Sequence, residues 1–124
     1  MRVMVLVKAT PDSEKGEINT PAELRAREKM SRFNEELQAA GIRVMAAGLK
    51  PSSAGARVSL DGEERIVTDG PFTEAKELIA GFWLWDVKDM AEAIAWAKHC
   101  PNPNPLPGPS AIEIRPLYEA ADLQ

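Results

Sequence analysis

The chain has 124 residues, 44% hydrophobic and 27% charged, with one cysteine and a formal net charge of −4. That composition is ordinary for a single globular domain. One cysteine excludes an internal disulfide framework, no Cys/His cluster provides for a structural zinc, and the acidic balance argues against broad attraction to nucleic acid or anionic lipid.

Area scaling allows a compact chain of this size to expose about 6,600 Å² of the roughly 19,700 Å² open when unfolded, so a core can form by packing alone. Residues 1–62 carry 10 basic and 8 acidic side chains and residues 63–124 carry 5 and 11. This split reads as solvated helix faces and loops, with subunit docking as the alternative. The longest unbroken apolar run, Val3 to Val7, is far short of the ~20 residues of a membrane helix. No secretory pattern follows Arg2. The expectation is no membrane span and a cytoplasmic address.

Val3 to Val7 is apolar at every position and rich in β-branched residues, which predicts a strand buried on both faces and central in a sheet. Residues 9–19 lack periodicity and read as a loop. Thr20-Pro21-Ala22-Glu23 supplies an N-cap hydroxyl, a proline at the first helical position and an acid at N3. Ala26, Met30, Phe33, Leu37 and Ala40 then form one apolar stripe, closed by Gly41. Ile42 to Ala47 reads as a strand of weaker apolar content, leaving through a loop at 48–53. Ala56 to Leu60 and Arg65 to Thr68 flank Asp61-Gly62 and predict a protruding β-ribbon.

Gly81 to Val87 is the third main strand, with Phe82 and Leu84 on one face and Trp83, Trp85 and Val87 on the other. Asp89 and Glu92 can cap a helix whose stripe is Met90, Ala93, Ile94 and Ala97, ended by Pro101. The Pro/Asn-rich stretch 101–109 is a connector. In the last strand, Ala111 to Leu117, Ile112 and Ile114 alternate with Glu113 and Arg115, as suits an outer strand with one polar face.

Strand, helix, strand, ribbon, strand, helix, strand is the element order of an α+β, ferredoxin-like βαββαβ domain with an inserted β-ribbon. Its middle strands would be the two with apolar side chains on both faces. Helices cover one face of such a sheet. The other, with the tryptophan side of the third main strand, is expected to meet a second copy, giving a homodimeric α+β barrel. The alternative is that the ribbon and the loop from residue 69 fold over that face within one chain.

Asp69-Gly70-Pro71-Phe72-Thr73-Glu74-Ala75-Lys76-Glu77 joins a turn dipeptide, a proline, an aromatic anchor and alternating charges. In structural terms Asp69 can fold back on nearby amides, Pro71 restricts the chain, Phe72 can plug the core and Thr73 can start a helical turn with Glu74 near its positive end. The segment closely resembles the defining motif of DGPF-domain proteins, a branch of the YCII-related family. Glu35-Glu36-Leu37, Gly41, Gly48-Leu49, Pro51, Thr68, Gly81-Phe82, Glu92-Ala93, Cys100-Pro101 and Glu113 to Pro116 extend the resemblance over nearly the whole chain. The resemblance implies a dimeric α+β barrel and, because some relatives are encoded beside extracytoplasmic-function sigma factors, a regulatory context. In the wider family a helix histidine pairs with an aspartate beyond the second strand. Here Met30 takes the helix position, and Lys50 and Pro51 follow Gly48-Leu49.

His99 closes the second helix, where its imidazole suits the helix dipole. Cys100 reads as a packed side chain without a base to activate it. Asp69, Glu74, Glu77 and Glu113 lack metal-loop spacing, and no glycine-rich phosphate cradle or serine elbow is present. No metal or cofactor is expected. The remaining candidate is a rim cluster of Asp69, Lys76 and Arg115 with Glu74 and Glu113 beside Phe72, Trp83 and Trp85. These groups can simply pair. Desolvated by the aromatics, Lys76, Arg115, Glu74, Trp83 and Trp85 could instead bind a small organic molecule in a cleft between sheet and DGPF loop. An enzyme using Asp69 as general base with Lys76 or Arg115 steadying an anion is the second reading. A protein-docking accessory factor, with a sigma factor as partner, is the third.

Overall fold

A computed structural model describes residues 1–16, 20–74, 77–103 and 108–123. Its elements are β1 (Arg2–Lys8), α1 (Pro11–Lys15), α2 (Pro21–Ala39), β2 (Arg43–Gly48), β3 (Ala56–Asp61), β4 (Glu64–Asp69), β5 (Ile79–Asp86), α3 (Met90–Lys98) and β6 (Ile112–Pro116). The fold is mixed α+β. Its antiparallel four-stranded sheet has the order β2-β5-β1-β6, and β3 and β4 form a separate ribbon.

The two strands with double-sided apolarity are the central pair. β1 and β5 run antiparallel with Val3 opposite Trp85, Met4 opposite Leu84, Val5 opposite Trp83 and Leu6 opposite Phe82. Because side chains alternate across a strand, Val3, Val5, Trp83 and Trp85 share one face. They are packed with Phe33 and Leu37 of α2 and Ala93 of α3 into the core. Phe33 meets the tryptophans edge-on, with ring centroids 5.8 Å from Trp83 and 6.3 Å from Trp85. The helices therefore cover the tryptophan face, which corrects the expectation that this side awaits a partner. Phe33 meets both indoles edge-on, whereas Met4, Leu6, Phe82 and Leu84 on the opposite face take no part in the helix-side core.

That opposite face holds Met4, Leu6, Phe82 and Leu84, all half-buried, with Met45 and Ala47 from β2 and Glu113 and Arg115 from β6 in the same rows. The chain exposes 8631 Å², well above the ~6,600 Å² expected of a compact monomer of this mass. The ribbon, whose strand residues are all exposed, contributes to this area.

Both main helices start as their caps predict. Thr20 Oγ1 accepts from Glu23 N at 3.3 Å, and Asp89 Oδ1 accepts from Glu92 N at 2.9 Å while Glu92 Oε1 accepts from Lys88 N. Ile94 departs from the expected stripe, being 44% exposed, and Trp96 packs against the core in its place. The segment read as loop contains α1, started by a Thr10–Ser13 capping box. Five residues without a buried side chain offer no periodicity to read.

Candidate functional site

The DGPF segment is tied to the rest of the chain by α1, which periodicity did not reveal. Glu14 accepts from the Ser52 backbone N–H at 3.0 Å and from the Ser52 hydroxyl. Ser52 Oγ in turn accepts from Phe72 N at 3.0 Å, and Gly70 N donates to Gly55 O at 3.0 Å. The Gly70-Pro71 peptide is cis. A Cβ on Gly70 would lie 1.7 Å from Ser52 O, so only glycine allows the two backbones to meet. Gly70→Ala is expected to cost about 1–3 kcal/mol through overpacking, read as a fall in thermal midpoint. An unchanged midpoint would remove the segment from the fold's supports.

Phe72 is half-buried beneath Arg57, whose guanidinium carbon lies 4.0 Å from the ring centroid. It does not plug the core. Asp69 does not turn back on amides but continues β4, pairing with Ala56, and is exposed. Glu74 is exposed too. Lys76 lies outside the described residues. Arg115 is 71% exposed and pairs with Glu113 at 3.3 Å, which also meets Lys8 at 3.6 Å. Among the described residues no ion pair or hydrogen bond joins Asp69, Glu74 and Arg115, so the expected rim cluster does not assemble there. Trp85 is 0% exposed and is a core residue. Of the expected ligand-binding side chains, Trp83 lines a cleft.

That cleft lies between α2 and the β2–β5 edge, on the helix side of the sheet, and has a volume of about 450 Å³. No residue of 69–74 lines it, so it lies apart from the cleft expected beside the DGPF loop. Small side chains open it: Ala26 on α2, Ala46 and Gly48 on β2, Ala80 and Gly81 on β5. Gly48 and Gly81 are directly paired. Met30 and Trp83 wall the space, and Trp83 Nε1 donates to Asn34 Oδ1 at 2.6 Å, holding the indole against α2.

Two arginines flank this apolar floor, and neither had a sequence signal. Arg27, Met30 and Asn34 follow one another at helical spacing on α2. Arg43 is aimed by an irregularity in β2. Its Cα partner is Trp85, whereas Met45 partners Leu84 and Ala46 partners Trp83, with the register shifting between Arg43 and Met45. The extra residue puts Arg43 and Ala46 on the helix face together, where strict alternation would have separated them. Arg43 also donates to Gln38 Oε1.

Cys100 is half-buried, and burial pushes its thiol up to about 11, so it stays protonated at neutral pH. His99 is the C-cap of α3, its N–H directed at Ala97 O and Trp96 O. Among the described residues no group of His, Cys, Asp or Glu could hold a metal ion, and no helix is long and apolar enough to cross a membrane.

Comparison with known proteins gave three findings. The family model described as the YCII-related domain matches residues 1–120. An uncharacterised protein of Rhizobium meliloti (strain 1021) is 44% identical over 62 residues, which is 48% of this chain and 48% of that protein. The match therefore spans about half the length of that curated relative. Among solved structures, the 5-chloro-2-hydroxyhydroquinone dehydrochlorinase of Burkholderia phenoliruptrix AC1100, in complex with 2,5-dihydroxybenzoquinone, has a TM-score of 0.48 at 14% identity, covering 91% of each chain.

Proposed function

The chain belongs to the YCII-related domain family, and from that premise we propose that it is a ferredoxin-like subunit of a dimeric α+β barrel that binds a small organic molecule in the α2–β2 cleft. The binding serves a sensing or accessory role. One observation carries the reading: a cleft of about 450 Å³ walled by Trp83 and Met30, the size and apolar character of a small-molecule site. The open sheet face is the assembly surface. Its apolar rows and the chain's excess exposed area suit an isologous interface, which commonly needs only about 800 Å² from each partner.

Asp69 has no part in this site. It lies on the exposed ribbon, and the cleft has no acid or histidine among its described lining residues. Binding without proton transfer is what these groups support.

Ala46, exposed and opposite Trp83, gives a direct test. Saturation-transfer NMR with neutral aromatic fragments such as phenol and benzyl alcohol should show binding to the wild-type chain. Ala46→Phe fills the cleft and should reduce that signal at least tenfold, while Asp69→Asn leaves it unchanged. Binding that survives Ala46→Phe, or that disappears with Asp69→Asn in a folded protein, contradicts the assignment.

A further inference from the structure

We infer that the ligand of this cleft is a small organic anion, an aromatic or compact apolar carboxylate held by Arg27 and Arg43; the inference rests on the cleft reading above and names its ligand class. The chain as a whole is acidic, with a formal charge of −4, yet the charged side chains that line the cleft among the described residues are both arginines. Neither forms an ion pair with a described residue. Surplus positive charge thus sits at one concave place on a negatively charged molecule.

The uncharged polar group points the same way. Asn34 Oδ1 is engaged by the Trp83 indole N–H, which leaves the Asn34 amide with its NH₂ donors to offer. Arg27, Arg43 and Asn34 therefore present donors to the cleft. A ligand that satisfies them must be rich in acceptors, and a carboxylate matches the planar fork of a guanidinium. The rest of the lining, Met30, Trp83 and small side chains, offers contact to an apolar body and nothing to a fully hydrated ion such as inorganic phosphate. The register shift in β2 supports the assignment independently, since it spends a ladder irregularity to turn Arg43 from the open face into the cleft.

The test compares benzoate with its neutral counterpart benzamide by saturation-transfer titration of the wild-type chain, Arg43→Gln, Arg27→Gln, the double variant and Ala46→Phe, each checked for an unchanged far-UV circular dichroism spectrum. Benzoate should bind more tightly than benzamide. Each single arginine variant should lose about 10- to 100-fold in benzoate affinity, as expected for a charge-assisted hydrogen bond. The double variant should bring benzoate to the level of benzamide. Arg43→Lys should fall between wild type and Arg43→Gln, because it keeps the charge and loses the fork. Equal binding of the two probes, unmoved by the arginine variants but abolished by Ala46→Phe, overturns the anion inference and leaves the cleft standing. Failure of both probes to bind, or binding indifferent to Ala46→Phe, overturns the cleft itself.

Discussion

Trp85→Ala should lower the free energy of unfolding by about 3–5 kcal/mol, the range for removing a large aromatic side chain from a packed core. Trp85 is 0% exposed, lies opposite Val3 in β1 and Arg43 in β2, and touches Phe33 and Trp83 with centroid separations of 6.3 and 5.7 Å. Removing it opens a cavity at the point where α2 meets both central strands. For a chain of this length the thermal midpoint should fall by roughly 10–20 °C. Trp85→Phe separates volume from polarity. The Trp85 Nε1 atom is buried without a partner among the described residues, so the phenylalanine removes an unsatisfied donor as it loses volume. Its cost should stay below about 1.5 kcal/mol. A shift under about 3 °C for Trp85→Ala would contradict the placement of this face beneath the helices.

Leu84→Asp should leave the fold intact and, with the open face pairing two copies as proposed, dissociate them. Leu84 is half-buried on the open face, between Met4 of β1 and Met45 of β2, and takes no part in the helix-side core. In a two-fold interface the substitution enters twice. Desolvating two carboxylates against an apolar face costs on the order of 4 kcal/mol or more, roughly a thousand-fold in dissociation constant. Light scattering at micromolar concentration should give twice the 13.6 kDa chain mass for the wild type and a single chain mass for the variant. A monomeric wild type, or a variant that remains dimeric, contradicts the assembly.

The main strands follow the pattern in the sequence, whereas the stripe of α3 leaves Ile94 exposed and takes Trp96 in its place. The run Val3 to Val7 and the stretch Gly81 to Val87, apolar but for Asp86, mark the central strands, and Ile112-Glu113-Ile114-Arg115 marks an outer one. What the period could not decide was which face the helices take. Both faces of β5 carry large apolar side chains, and the choice is made by Phe33 fitting against the two indoles. Strict alternation also fails in β2, where one extra residue turns Arg43 towards α2. The small residues that open the cleft gave no cavity signal, since Ala46 reads as part of a strand of weak apolar content, Gly48 as the loop after it, Ala26 as part of the helix stripe and Gly81 as the start of the third main strand. The DGPF segment stood out because its backbone meets Ser52 too closely for a Cβ and is held through Glu14. Those long-range contacts explain a conspicuous motif without placing it in the cleft.

The three tryptophans supply the most direct measurement. Trp83 lines the cleft, Trp85 is sealed in the core and Trp96 lines a separate groove between α2 and α3. In a ¹H–¹⁵N titration with benzoate, the Trp83 indole resonance should move in proportion to occupancy while those of Trp85 and Trp96 stay in place. A still Trp83 resonance, with the shifts gathered instead on the ribbon around Asp69, would put the ligand elsewhere and contradict the account.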